Sequence, residues 1–249
     1  MRYVDINEAI KADGLRIVIV KAMPSAWGVA AKAMIDYKGL DYLCAYQIPM
    51  SDNPELLAWS GTNSAPVVAW NDEAPINRWE DILLLLERLA PEPRLVPENP
   101  AERIEVFGIC REICGELGFG WNRRIDLARP PAGEEPGVFA QKYNYREAEA
   151  ALANTRVIAL MKELAARLKA QKENGSDYLV GQSVSAADFY WAAFSNFVVI
   201  QPAEEMPVNP DARPMFENTP AEITAAIDPV LMEHRDRIMH NYYKLPVEL

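Results

Sequence analysis

The chain has 249 residues, half of them apolar, enough for one large domain or two small ones with a sizeable core. Its 36 acidic against 25 basic side chains leave a formal charge of −11, which argues against nucleic acid, because phosphate binding needs clustered Lys and Arg. Three cysteines offer no disulfide framework, no apolar run approaches the roughly 20 residues of a membrane span, and the opening MRYVDINEAIKADG lacks the apolar core of a secretion signal, so a cytoplasmic protein is expected.

In chain order, Leu15–Val20 reads as a short apolar strand. The stretch KAMPSAWGVAAKAM then leaves the strand and enters a helix over residues 27–38, which Gly39 closes. Such a hinge aims unpaired backbone N–H groups at one point, a place suited to an anion or a thiolate. LDYLCAYQIP reads as a second strand, and NPELLAWSG as one or two helical turns capped near Asn53. SAPVVAW and APINRW bracket the turn NDE as a two-stranded hairpin, EDILLLLERLA is helical, and PEPRLVPENP is a connector that no regular element tolerates.

Beyond Pro100 the pattern is helical. AERIEVFGICREICGELGFGWNRRIDL reads as one long helix, and ARPPAGEEPGVFAQ as a loop. NYREAEAALANTRVIALMKELAARLKAQ is strongly amphipathic, and SAADFYWAAFSNFVVI is apolar enough to be central. No segment after residue 100 reads clearly as a strand. The order is βαβ, then ββα, then all helix.

This order resembles the cytosolic glutathione transferase family, and two segments carry the likeness. NSAPVV is similar to the segment in which that family keeps a cis-proline, here Pro66, exposing the backbone of Ala65 to a bound peptide. YLVGQSVSAADFYW is similar to a family segment in which Ser185 caps a helix and Asp188 reaches back. The resemblance implies an α/β plus all-α fold, with a thioredoxin-like domain over residues 1–92 and a helical domain over 100–249. It also implies glutathione as co-substrate, a small apolar electrophile as partner, and a homodimer.

Counting back from YKGLDY, the resemblance puts Ser25 at the position where the family's serine-type members hydrogen-bond the glutathione sulfur. Ser25 reads equally well as a plain N-cap. Trp27, in the first helical turn, is a candidate for ligand stacking, with packing as the commoner role. Where the family has an acidic residue and a serine for the γ-glutamyl end, this chain has Asn77 and Arg78. Arg78 either clasps a carboxylate with its planar fork or pairs on the surface with Glu80 or Asp81. That departure keeps two alternatives open: a binding module without turnover, or an enzyme for a different acidic thiol or anion.

Cys114 and Trp121 are candidates for a second, apolar pocket, although Cys110 and Cys114, four apart, read better as buried packing. His234 and His240 lie on different helix faces. No metal site is expected.

Overall fold

The computed structural model of the chain describes every residue except Ala132. The described residues fall into two units: Met1–Leu95 with Gln201–Ala212 and Met239–Leu249, and Val96–Ile200 with Arg213–Ile238. The sequence assigned everything from residue 100 to the helical domain, yet two late segments group with the sheet. One backbone and one side-chain contact to residues far back in the sequence hold them there. Asn209 N–H donates to Ala22 C=O (3.0 Å), and Tyr242 meets Tyr37 edge to face at 5.5 Å.

The first unit is built on four strands, β1 (Arg2–Tyr3), β2 (Leu15–Val20), β3 (Tyr42–Gln47) and β4 (Val67–Trp70), in the order β1-β3-β2-β4. β3 runs parallel to β1 and β2, and β4 runs antiparallel to β2. Apart from Arg16, whose guanidinium donates to the Gly14 and Asn71 carbonyls, β2 reads as an apolar run because it is buried along nearly its whole length between two neighbours. Successive side chains face opposite sides. Val18, Ala45 and Val67 share a cluster with Ala9 of α1 (Ile6–Lys11) and Leu56 of α3 (Pro54–Ser60). On the other face, Gly28 of α2 (Ala26–Tyr37) lies so close to Ile19 that a Cβ there would sit 3.5 Å from its Cγ2.

α4 (Trp79–Leu89) packs beside α2, and the buried Lys38 ties their ends together. Its ammonium donates to the carbonyls of Ala90 (2.7 Å) and Pro93 (2.9 Å) and pairs with Glu87 at 2.7 Å. Three partners satisfy all three donors of a lysine placed out of water.

Three local expectations change. The opening segment forms β1 and α1; β1 is too short to announce itself, and Asp5 caps α1 by accepting from Asn7 N–H. The hairpin's second arm shrinks to one bridge, Val68 to Ile76, because Pro75 beside it has no N–H to give. The long helix after Pro100 breaks into α5 (Pro100–Cys114) and α6 (Phe119–Leu127). Leu117 takes a positive φ of 65°, and a Cβ on Gly118 would meet the Glu112 carbonyl at 2.4 Å, so the chain turns where glycine alone fits.

The second unit contains α5, α6, α7 (Val138–Lys142), α8 (Glu147–Glu173), α9 (Ala186–Phe194), α10 (Arg213–Glu217), α11 (Ala221–Ala225) and the start of α12 (Pro229–Tyr242). α9 is buried at every position, and apart from Asp188 its sequence is apolar all round, as that burial requires. Its N-terminus carries the reciprocal capping box between Ser185 and Asp188. α5 packs on α9, and α6 on α8. The small parallel-and-antiparallel sheet followed by a helical bundle is a thioredoxin-like domain joined to a helical domain.

Candidate functional site

The hinge between β2 and α2 is held at both ends. Lys21 N–H donates to Gln47 C=O (3.0 Å), and Ser25 N–H to Met23 C=O (2.8 Å). Between them Ala22 adopts φ +53°, a left-handed conformation that costs a residue with a Cβ about 1 kcal/mol or more.

Ser25 occupies the N-cap of α2 in extended geometry, and its carbonyl accepts from Val29 N–H at 2.9 Å. Its side chain makes no capping hydrogen bond. The backbone therefore has the shape of a cap while the hydroxyl is not used as one. The first N–H groups of α2 also keep their usual surplus of donors, at the positive end of the helix.

Pro66 stands at the same end of the sheet. Val67 pairs with Val18, so extending the antiparallel register puts Pro66 opposite Ile19, next to the strand end that feeds the hinge. The Ala65–Pro66 bond is cis, Pro66 is buried and Ala65 is half-buried. Trp27 is half-buried one residue into α2. Ser25, Trp27, Ala65 and Pro66 thus all belong to the sheet unit, where the order of strands collects them at one end.

Asn77 and Arg78 lie exposed at the start of α4. The Arg78 guanidinium pairs with Glu80 through Nη2 and Nε (the latter at 3.1 Å), and Nε lies 3.8 Å from Asp81. The Glu80 hydrogen bond holds its pKa above the usual value. Both carboxylates stand in the first turn of its own helix. Of the two roles open from sequence, this geometry is that of the surface pair.

Cys114 and Trp121 belong to the helical unit. Cys114 is buried at the end of α5; Trp121 is half-buried on α6, with the Arg124 guanidinium 5.7 Å from its ring. The three cysteines form no disulfide and all are buried. Burial pushes the Cys44 thiol up to about 12, against an opposing pull from Lys32, and raises Cys110 well above the ordinary range. His234 Nε2 lies 2.8 Å from Asp188 within the core, a structural contact. Among the described residues no group of three His, Cys, Asp or Glu side chains is placed to hold a metal.

Sequence reasoning missed residues around Ser25. A recess of about 10 Å3, the room for one water, is lined by Ile19, Met23, Ser25, Gly28 and Lys32 together with Glu248 and Leu249. Lys32 had one signal, a lone charge inside the apolar run VAAKAM. Glu248 had none, since 216 positions separate it from Lys32. A larger groove of about 670 Å3 between α5 and α8 contains none of the candidate residues.

No family model matches the sequence, and no curated protein aligns with it significantly. Solved structures do. A glutathione S-transferase from Methylobacillus flagellatus, with glutathione bound, superposes over 91% of this chain and 95% of its own at 13% identity and a TM-score of 0.64. Yeast Ure2p in complex with glutathione covers 92% of this chain and 95% of its own, at 12% identity and a TM-score of 0.62. The chain has the glutathione transferase fold. The β-etherase LigF from a Sphingobium species shares that fold at 19% identity, covering 90% of this chain and 99% of its own with a TM-score of 0.58. At these identities the likeness is one of architecture, and the chemistry rests on the residues.

Proposed function

We propose that this protein is a glutathione transferase-like enzyme in which Ser25 activates the thiol of bound glutathione. The observation that carries the reading is the Ser25 hydroxyl, positioned at an N-cap and making no capping bond. Donating that hydrogen to the glutathione sulfur favours the thiolate, and the α2 N-terminus adds to the effect. The thiolate attacks an electrophilic carbon: the S–C bond forms, the leaving group departs with its electron pair, and the thiol proton passes to solvent. Ala65, at the cis-proline, offers backbone to pair with the peptide, and Trp27 offers an aromatic edge beside the hinge. Cys114 and Trp121 stand as candidates for the electrophile's pocket. No metal takes part in this scheme.

The nearest alternative chemistry, a mixed disulfide with the protein, requires a reactive thiol at the hinge. The three cysteines are buried elsewhere, which supports serine chemistry. The reading includes a cytoplasmic setting and a symmetric homodimer. A second reading, a binding module without turnover, is favoured by Asn77 and Arg78 standing where the family places an acidic residue and a serine.

Conjugation assays with glutathione and Ser25→Ala separate the two readings. Arg78 supplies a smaller check. Since its guanidinium is engaged with Glu80 and Asp81 at the surface, Arg78→Ala is expected to change glutathione affinity by no more than about twofold. A loss of tenfold or more by calorimetric titration, not recovered in Arg78→Lys, would restore the carboxylate clasp.

A further inference from the structure

Residues 244–249 are held to α2, to β3 and to Glu205 by a series of specific contacts. Lys244 Nζ pairs with Asp36 Oδ1 at 2.7 Å, and Val247 N–H donates to Glu205 C=O at 2.7 Å. Glu248 Oε2 pairs with Lys32 Nζ at 2.8 Å, and the Leu249 carbonyl accepts from Tyr46 Oη at 3.3 Å. The charges alternate along the helix: Glu248, Lys32, Asp36, Lys244.

The arrangement is asymmetric in a way that favours reversible release. The Lys32 side chain is 6% exposed and that of Glu248 is 43% exposed. Stripping a buried charge of its only partner is costly. Lys32, however, also has Asp36, one turn on at 3.3 Å, and Asp36 accepts in addition from Tyr42 Oη at 3.0 Å. When Glu248 leaves, no buried charge is left alone.

The same segment lines the recess at Ser25. Glu248 and Leu249 line it together with Met23, Gly28 and Ser25, around space for about one water.

We infer that residues 244–249 form a latch over the Ser25 recess and that the Glu248–Lys32 pair determines the size of molecule that reaches Ser25 from this side. The inference rests on the Ser25 reading only in making Ser25 the guarded group; it is independent of which thiol binds.

A Ser25→Cys variant turns the site into a reporter. Its alkylation by iodoacetamide and by a bulky fluorescent maleimide is followed by peptide mass, which separates residue 25 from the buried native cysteines. Adding Glu248→Lys sets two ammonium groups against each other at a half-exposed position that the fold tolerates. Glu248→Gln, which keeps the shape without the charge, is the milder companion. The bulky reagent is expected to react about tenfold faster in the Glu248→Lys background, with a smaller gain in Glu248→Gln and little change for iodoacetamide. Equal rates in all backgrounds, or equal acceleration of both reagents, overturns the latch. The result does not depend on glutathione binding, so failure of the proposed function leaves it standing.

Discussion

Asp188→Ala is expected to destabilise the helical unit by about 3–5 kcal/mol, the cost of removing one partner from a buried, hydrogen-bonded charged group. The carboxylate is fully buried and all its acceptor capacity is used. Oδ1 accepts from Leu179 N–H at 2.8 Å and lies 2.8 Å from His234 Nε2. Oδ2 accepts from Ser185 N–H at 2.8 Å and from its hydroxyl at 2.9 Å. One side chain therefore satisfies the start of α9, the segment before it and a residue of α12. Alanine leaves several buried donors unmet, each costing about 1–3 kcal/mol before relaxation. Asn at this position restores one oxygen but turns an N–H toward donors, so Asp188→Asn is expected to recover only part of the loss. Urea unfolding followed by circular dichroism reads the effect as a shift in midpoint. A loss below about 1 kcal/mol would mean that water or rearranged neighbours replace the carboxylate.

Ser25→Ala is expected to lower turnover of a conjugation substrate by about 10²-fold or more, the scale of losing one positioned donor to a developing anion. The same substitution gives a second readout. A serine that truly caps a helix costs about 0.5–2 kcal/mol when replaced by alanine. Here the hydroxyl makes no capping bond, so stability should fall by only a few tenths of a kcal/mol. Catalytic loss with preserved stability is the signature of a hydroxyl kept for chemistry. Preserved turnover with a loss above about 1 kcal/mol would make Ser25 an ordinary cap and move thiol activation to the backbone donors of α2.

The parts of this molecule that were legible in the sequence are those governed by local rules. The apolar run of β2, the glycine that ends α2 and the Ser185–Asp188 spacing each act over a few residues, and each has its element in the structure. β1 was illegible because two residues carry no period, and its strand character comes wholly from pairing with β3. The break between α5 and α6 was hidden because Gly115 and Gly118 sit in a sequence whose apolar spacing continues through them; only the close approach of the Glu112 carbonyl shows why the helix stops. The choice between the two roles of Arg78 needed geometry, since sequence gives neighbours at two and three positions on but not which way the guanidinium turns. The wall of the Ser25 recess was the least accessible feature, because Glu248 reaches Lys32 through a fold that returns the chain to the sheet after the helical unit.

The claim on which the functional account depends is that glutathione binds at the hinge and ionises there. Calorimetric titration of glutathione at neutral pH, repeated in buffers of different ionisation enthalpy, reports both affinity and the protons released on binding. The account predicts saturable binding with release of close to one proton per site in the wild-type protein, and binding with much less release in Ser25→Ala. Absence of heat, and of competition with any bound probe, at roughly millimolar glutathione would contradict it.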